Sequence, residues 1–172
     1  MTLAKDRDAE FSDYVAARRG RLHRTAWLLC GDRDLAEDIV QNALSRVYVS
    51  WRRVRRVDSI DAYVRRAVVN AHLNEVRRPW RHRERSGLEL EHETSVATGA
   101  DPGESDALWT ALRALAPRQR QVVVLRHYWG LSVEETAADL GISPGTVKSQ
   151  TSTALARLRD LLTLVCETGG TK

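Results

Sequence analysis

The stretch from Pro117 to Arg159 limits this chain more than any other, because it reads as three helices broken by two tight turns. Proline is tolerated in the first helical turn, where its missing N–H has no partner to lose, so Pro117 opens the first helix. Val122, Val123, Leu125 and Trp129 form its apolar stripe, and Gly130 is placed to end it in a left-handed conformation. Ser132 with Glu135 three residues on has the reciprocal spacing of a capping box, and Gly141 closes that short helix with Ala137 and Leu140 inward. Ser143-Pro144 then supplies an N-cap and a first-turn proline. Val147, Thr151, Ala154 and Leu158 recur at helical spacing as the buried stripe of a long final helix.

A short helix, a glycine turn and a capped second helix make a helix-turn-helix. Thr146, Ser149, Gln150 and Thr153 lie off the buried stripe of the second helix, with Ser143 at its start. Such short hydrogen-bonding side chains suit base edges in a major groove, and Lys148 and Arg157 beside them suit phosphates. An ordinary helical hairpin with a solvated polar face is the bland alternative. The spacing of Ala, Gly, Ser-Pro and Val favours DNA binding.

The run from Gly130 to Ser149, Gly-Leu-Ser…Glu-Glu-Thr-Ala-Ala-Asp-Leu-Gly-Ile-Ser…Gly-Thr-Val-Lys-Ser, resembles region 4 of bacterial extracytoplasmic-function (group 4) sigma factors, of the SigE-like type of actinobacteria. In that family this domain recognises the −35 promoter element. Some response regulators carry similar helices, so the rest of the chain has to discriminate.

With sparse Gly and Pro inside the periodic stretches and no convincing alternating run, the chain is all-α. Its 172 residues suit two small helical domains: residues 1–80, a linker over 81–105, and 106–172. The formal charge of +4 hides a sharp division. Residues 46–85 hold twelve Arg against four acids, and residues 86–106 hold six acids with no Lys or Arg. That alternation points to a nucleic-acid surface followed by a segment that avoids or mimics nucleic acid.

Residues 8–30 predict a helix with Phe11, Tyr14, Val15, Leu22, Ala26 and Leu29 on one side, loosened at Gly20 and broken at Gly31-Asp32. A second helix is expected from Asp34 to about Val54, with Leu35, Ile39, Ala43, Val47 and Trp51 spaced at four. Asp34, Glu37, Asp38 and Gln41 cluster on its first turns, where acids suit the helix dipole. The segment from Asp34 to Gln41 also resembles the region 2.2 signature of the same family, which implies binding to the β′ clamp helices of core RNA polymerase. The family continues with Glu, a small residue and Phe, whereas this chain has Asn42, Ala43 and Leu44.

The Asp58-Ser59-Ile60-Asp61 segment caps a third predicted helix running to about Arg78. Tyr63, Ala67, Val68, Ala71 and Val76 are expected inward, and Arg65, Arg66, Asn70, Asn74, Arg77 and Arg78 on the other faces. Two amides one helical turn apart between paired arginines suit base edges held beside phosphates. The helix is similar to regions 2.3 and 2.4 of the family, which implies capture of the non-template −10 strand as the duplex opens. Tyr63 stands where the family commonly has Trp and is expected to pack in the core, and the loop from Arg52 to Ser59 is too divergent to name a base-holding residue.

After Pro79-Trp80 the helical period disappears for roughly 25 residues, too long for an ordinary connection. The resemblance implies a linker threading towards the polymerase cleft, where Glu89, Glu91, Glu93, Asp101, Glu104 and Asp106 would mimic phosphates. Asp106 to Ala116 then predicts a leading helix with Leu108, Leu112 and Leu115 inward.

Cys30 and Cys166 lack disulfide or zinc spacing, and His23, His72, His82, His92 and His127 show no metal motif. No nucleotide loop, secretory leader or membrane-length apolar run is present. The reading is therefore a cytoplasmic, non-enzymatic, cofactor-free promoter-specificity subunit. Its expected partners are core polymerase (the β′ clamp helices and the β subunit), promoter DNA and an anti-sigma factor. A stand-alone helix-turn-helix regulator is the alternative, opposed by the Asp34–Gln41 segment, the Asn70/Asn74 helix and the lack of a βαβ pattern.

Overall fold

A computed structural model describes residues 2–77 and 102–168, with side chains over 6–77, 108–161 and at 163. The chain divides into two compact units, Met1–Glu89 and Leu90–Lys172. Among the described residues there is helix and no strand.

The first unit is built from α1 (Thr2–Cys30), α2 (Arg33–Val49), α3 (Trp51–Val54) and α4 (Ile60–Val76). α1 runs uninterrupted through Gly20, so that residue does not loosen it. Asp32, rather than Asp34, is the N-cap of α2, its side chain accepting from the Leu35 N–H at 2.9 Å. α2 lies against both α1 and α4, and its stripe of Leu35, Ile39, Val40, Ala43 and Val47 forms the middle of the core.

The expected continuous helix to Val54 is instead interrupted at Ser50, whose N–H still bonds back to Val47 while its carbonyl starts α3 by accepting from Arg53 and Val54. Neither Gly nor Pro marks the break, so the four-residue period runs through it unchanged. Trp51 is buried to 1% exposure, with Phe11 edge-on at 5.1 Å and Tyr14 at 5.5 Å between ring centres. Val49, one residue before the break, is 85% exposed.

α4 starts at Ser59, whose hydroxyl accepts from the Ala62 N–H. Its buried stripe is rotated from the expected one. Val64, Arg65, Val68, Val69, Ala71 and His72 are inside, Tyr63, Ala67 and Leu73 are half-buried, and Val76 is exposed. Apolar residue type alone could not locate a seam that carries an arginine and a histidine.

The second unit holds α5 (Pro102–Arg113), α6 (Pro117–Val123), α7 (Val133–Leu140) and α8 (Pro144–Thr168). α5 begins before Asp106, and Leu108 is 41% exposed rather than inward, Trp109 taking the core position with Leu112 and Leu115. After α6 the chain widens into one π turn, Val124–Tyr128, and Gly130 follows with φ 69. The capping box at Ser132 forms in full: the Glu135 N–H donates to the Ser132 hydroxyl at 3.0 Å, and the Ser132 N–H to the Glu135 carboxylate at 2.7 Å. Gly141 closes α7 at φ 62, in the left-handed region that favours glycine. α8 packs against α6 and α7 through Val147 and Ala154, both fully buried.

Candidate nucleic-acid and protein interfaces

The start of α8 is set by Ser143 and its sides by burial. Ser143 receives the Thr146 N–H at 3.1 Å and shares a hydrogen bond with the Thr146 hydroxyl at 2.8 Å. Ser149 donates its hydroxyl proton to the Thr146 carbonyl at 3.1 Å, and Thr153 to the Ser149 carbonyl at 3.0 Å. Hydroxyls bonded this way keep their lone pairs outward, as acceptors for amino donors such as cytosine N4 or adenine N6. Ser143, Lys148, Ser149, Thr153 and Arg157 are exposed, and Thr146 and Gln150 half-exposed. The amide of Gln150 both donates and accepts, and the two cations supply phosphate contacts.

On α4, Arg66, Asn70, Asn74 and Arg77 are all exposed along one helical face. Arg65 differs: it is 6% exposed and belongs to the buried seam, so it is not on the DNA-facing set expected from sequence. Arg78 lies outside the described residues, as do Glu89, Glu91, Glu93 and Asp101 of the acidic stretch, and no described side chain belongs to Glu104 or Asp106. Tyr63 is half-buried rather than a core residue, and its hydroxyl accepts from Arg53 at 3.4 Å.

The acidic face of α2 has a definite internal structure. Asp34, Asp38 and Gln41 are exposed, while Glu37 is tied on several sides. Gln41 donates to it at 2.8 Å, Arg19 of α1 at 2.7 Å, and the His23 ring nitrogen stands 3.8 Å away. The Gln41 hydrogen bond, with Arg19 alongside, holds the Glu37 carboxyl below its ordinary value against partial burial, which raises it.

A second group was missed from sequence. Tyr14 donates to Asp61 at 2.9 Å, and Arg18 donates to both oxygens of Asp61 at 3.1 and 3.2 Å. Asp61 sits in the first turn of α4. Burial pushes its carboxyl up, but the bonds from Arg18 and Tyr14 outweigh burial and leave it below the usual carboxylate value. The available signal was the polar pair Tyr14 and Arg18 one turn apart on an otherwise apolar face.

Among the described residues no group of His, Cys, Asp and Glu is arranged to hold a metal ion, and no helix is long and apolar enough to cross a membrane. The Cys30 thiol donates to the Asp32 carbonyl at 3.2 Å.

Each of the two units matches a known family. Residues 14–82 match the Sigma-70 region 2 family, and residues 105–158 match Sigma-70 region 4. The chain is 41% identical to the RNA polymerase sigma-E factor of Streptomyces coelicolor over 156 residues, 89% of this chain and 86% of that one. It is 34% identical to the ECF RNA polymerase sigma factor SigM of Mycobacterium tuberculosis, over 93% of this chain and 80% of that one. Among solved structures, the Bartonella quintana sigma factor RpoE in complex with the anti-sigma factor NepR is similar at a TM-score of 0.74 and 26% identity, covering 90% of this chain and 97% of that one. CnrH, solved with the cytosolic domain of CnrY, shares the fold at a TM-score of 0.64 and 22% identity, covering 91% and 90%.

Proposed function

Since this chain belongs to the extracytoplasmic-function branch of the sigma-70 family of RNA polymerase sigma factors, we propose a division of labour among its faces. α8 reads the −35 element through Thr146, Ser149, Gln150 and Thr153, with Ser143, Lys148 and Arg157 on the backbone. The exposed row Arg66, Asn70, Asn74 and Arg77 of α4 takes the non-template −10 strand. Asp34, Glu37, Asp38 and Gln41 dock on the β′ clamp helices of core polymerase.

The observation that carries this reading is α8 itself: its stripe at Val147 and Ala154 is fully buried, and the opposite side is a polar row ending in cations. Strand opening then follows from stronger binding of the unpaired −10 strand than of the duplex, with no nucleotide consumed and no catalytic group of the chain involved. Each face alone offers few contacts, so binding to free DNA is weak and the polymerase supplies the register between them. The work takes place where the polymerase and promoter are, in the cytoplasm. A solved relative is held by an anti-sigma factor, which supports a similar inhibitory partner here.

Runoff transcription with purified core polymerase tests the reading. Defined transcripts should appear only when the chain is added, and gel shift of duplex promoter DNA by the chain alone should be weak. A strong shift without polymerase would instead identify a stand-alone regulator.

A further inference from the structure

We infer that Tyr14 and Arg18 of α1 are positioning residues for promoter opening: by gripping Asp61 they fix the start of α4, and so the angle at which Asn70 and Asn74 meet the unpaired −10 strand. The inference rests on the reading of α4 given above.

Three observations carry it. First, the chain entering α4 is exposed from Arg55 to Ser59, and the described tie there to α1 other than Asp61 is Arg55 on Glu10 at 3.0 Å, six residues upstream of Asp61. Second, the grip is pre-organised. The Tyr14 ring packs on the buried Trp51, which aims its hydroxyl at Asp61, and Arg18 engages both carboxylate oxygens from the next turn of the same helix. Third, the residue beside Arg18 is Arg19, which holds Glu37 on the polymerase-docking face. One turn of α1 therefore ties the start of the DNA-reading helix to the segment that meets the enzyme.

The leverage is large. Asn70 lies nine residues beyond Asp61, which is roughly 13 Å along the axis, so a tilt of about 10° displaces it by roughly 2 Å. A hydrogen bond to a base edge tolerates only about 0.5 Å.

The test uses the full chain with core polymerase on a promoter that the unaltered chain opens. Tyr14→Phe keeps the ring against Trp51 and removes only the hydroxyl, and Arg18→Gln removes the guanidinium. The double variant is expected to give roughly fivefold fewer open complexes on duplex DNA by permanganate reactivity. On a template whose −10 bases are already unpaired, holoenzyme binding should fall by a similar factor, because the contact at stake is with the unpaired strand, while affinity for core polymerase should stay within about twofold of the unaltered chain. Full recovery on the pre-opened template, a fall in core affinity, or no loss on the duplex would each overturn the inference. Asn70→Ala, run in parallel, separates the two claims: a defect there with none in the double variant sinks the positioning role alone, while no defect in Asn70→Ala sinks the reading of α4 and this inference with it.

Discussion

Arg120 lies across the end of α5 and donates its Nε–H to the carbonyl of Leu112 at 2.9 Å. Its terminal nitrogen reaches the carbonyls of Arg113 and Leu115 at 3.2 and 3.3 Å, and its guanidinium sits 5.3 Å from the centre of the Trp109 ring. A side chain from α6 thus adds donors to the C-terminal carbonyls of α5, where the Leu112 carbonyl also accepts from the Leu115 N–H at 3.1 Å.

Arg120→Lys keeps the charge and discards the planar fork, so it should destabilise the second unit by about 1 to 2 kcal/mol. Urea unfolding followed by hydrogen exchange at the α5 amides would report it. Unchanged protection there would show that the fork contributes nothing.

At Gly141 the backbone φ is 62 and an added Cβ meets no atom within 4 Å. Gly141→Ala should therefore cost only the backbone strain of a left-handed alanine, about 1 kcal/mol, with little effect on what α8 recognises. A change in −35 sequence preference would contradict this.

The two faces of α8 predict different failures. Gln150→Ala should relax base preference at one position of the −35 element by about 1 to 3 kcal/mol, whereas Lys148→Ala should weaken all sequences alike and lower the salt slope of holoenzyme binding by about one. Selection of −35 variants with each holoenzyme at several salt concentrations distinguishes them.

Acid should loosen the first unit through Asp61 and Glu37. Both carboxyls lie below their ordinary values of 3.8 and 4.5, so each stabilises the fold above those values and loses that contribution as pH falls through its lower folded value. Both side chains are about a third exposed, so solvent screening keeps each contribution under about 1 kcal/mol. Asp61→Asn should flatten part of the acid limb below about pH 4 in thermal melts. A limb of unchanged steepness would show that Asp61 is not among the groups responsible.

Local chemistry was legible wherever a residue type has one strong structural meaning. The caps at Ser59, Ser132 and Ser143, the left-handed glycines Gly130 and Gly141, and the opening Pro117 all stand where the sequence expects them. The exposed polar positions of α8, and Arg66, Asn70, Asn74 and Arg77 of α4, followed from the same periodicity, whereas Arg65 turns inward and Val76 outward. At Arg65 the buried seam includes a charged residue, and a reading that equates charge with exposure must fail. The break at Ser50 and the outward Leu108 were invisible because tertiary packing of Trp51 and Trp109 decides them. Long-range polar pairing, such as Tyr14 with Asp61, leaves only a faint mark in a single sequence.

The wide turn at Val124–Tyr128 also bears on how this domain can change. A π turn accommodates one residue more than the α-helical turns around it. Removing a single amino acid there would let the spiral tighten to ordinary pitch while the turn at Gly130 and the reading helix beyond it keep their places. The chain thus holds slack in length just upstream of its DNA-contacting element, where the loss of one residue is absorbed rather than passed on.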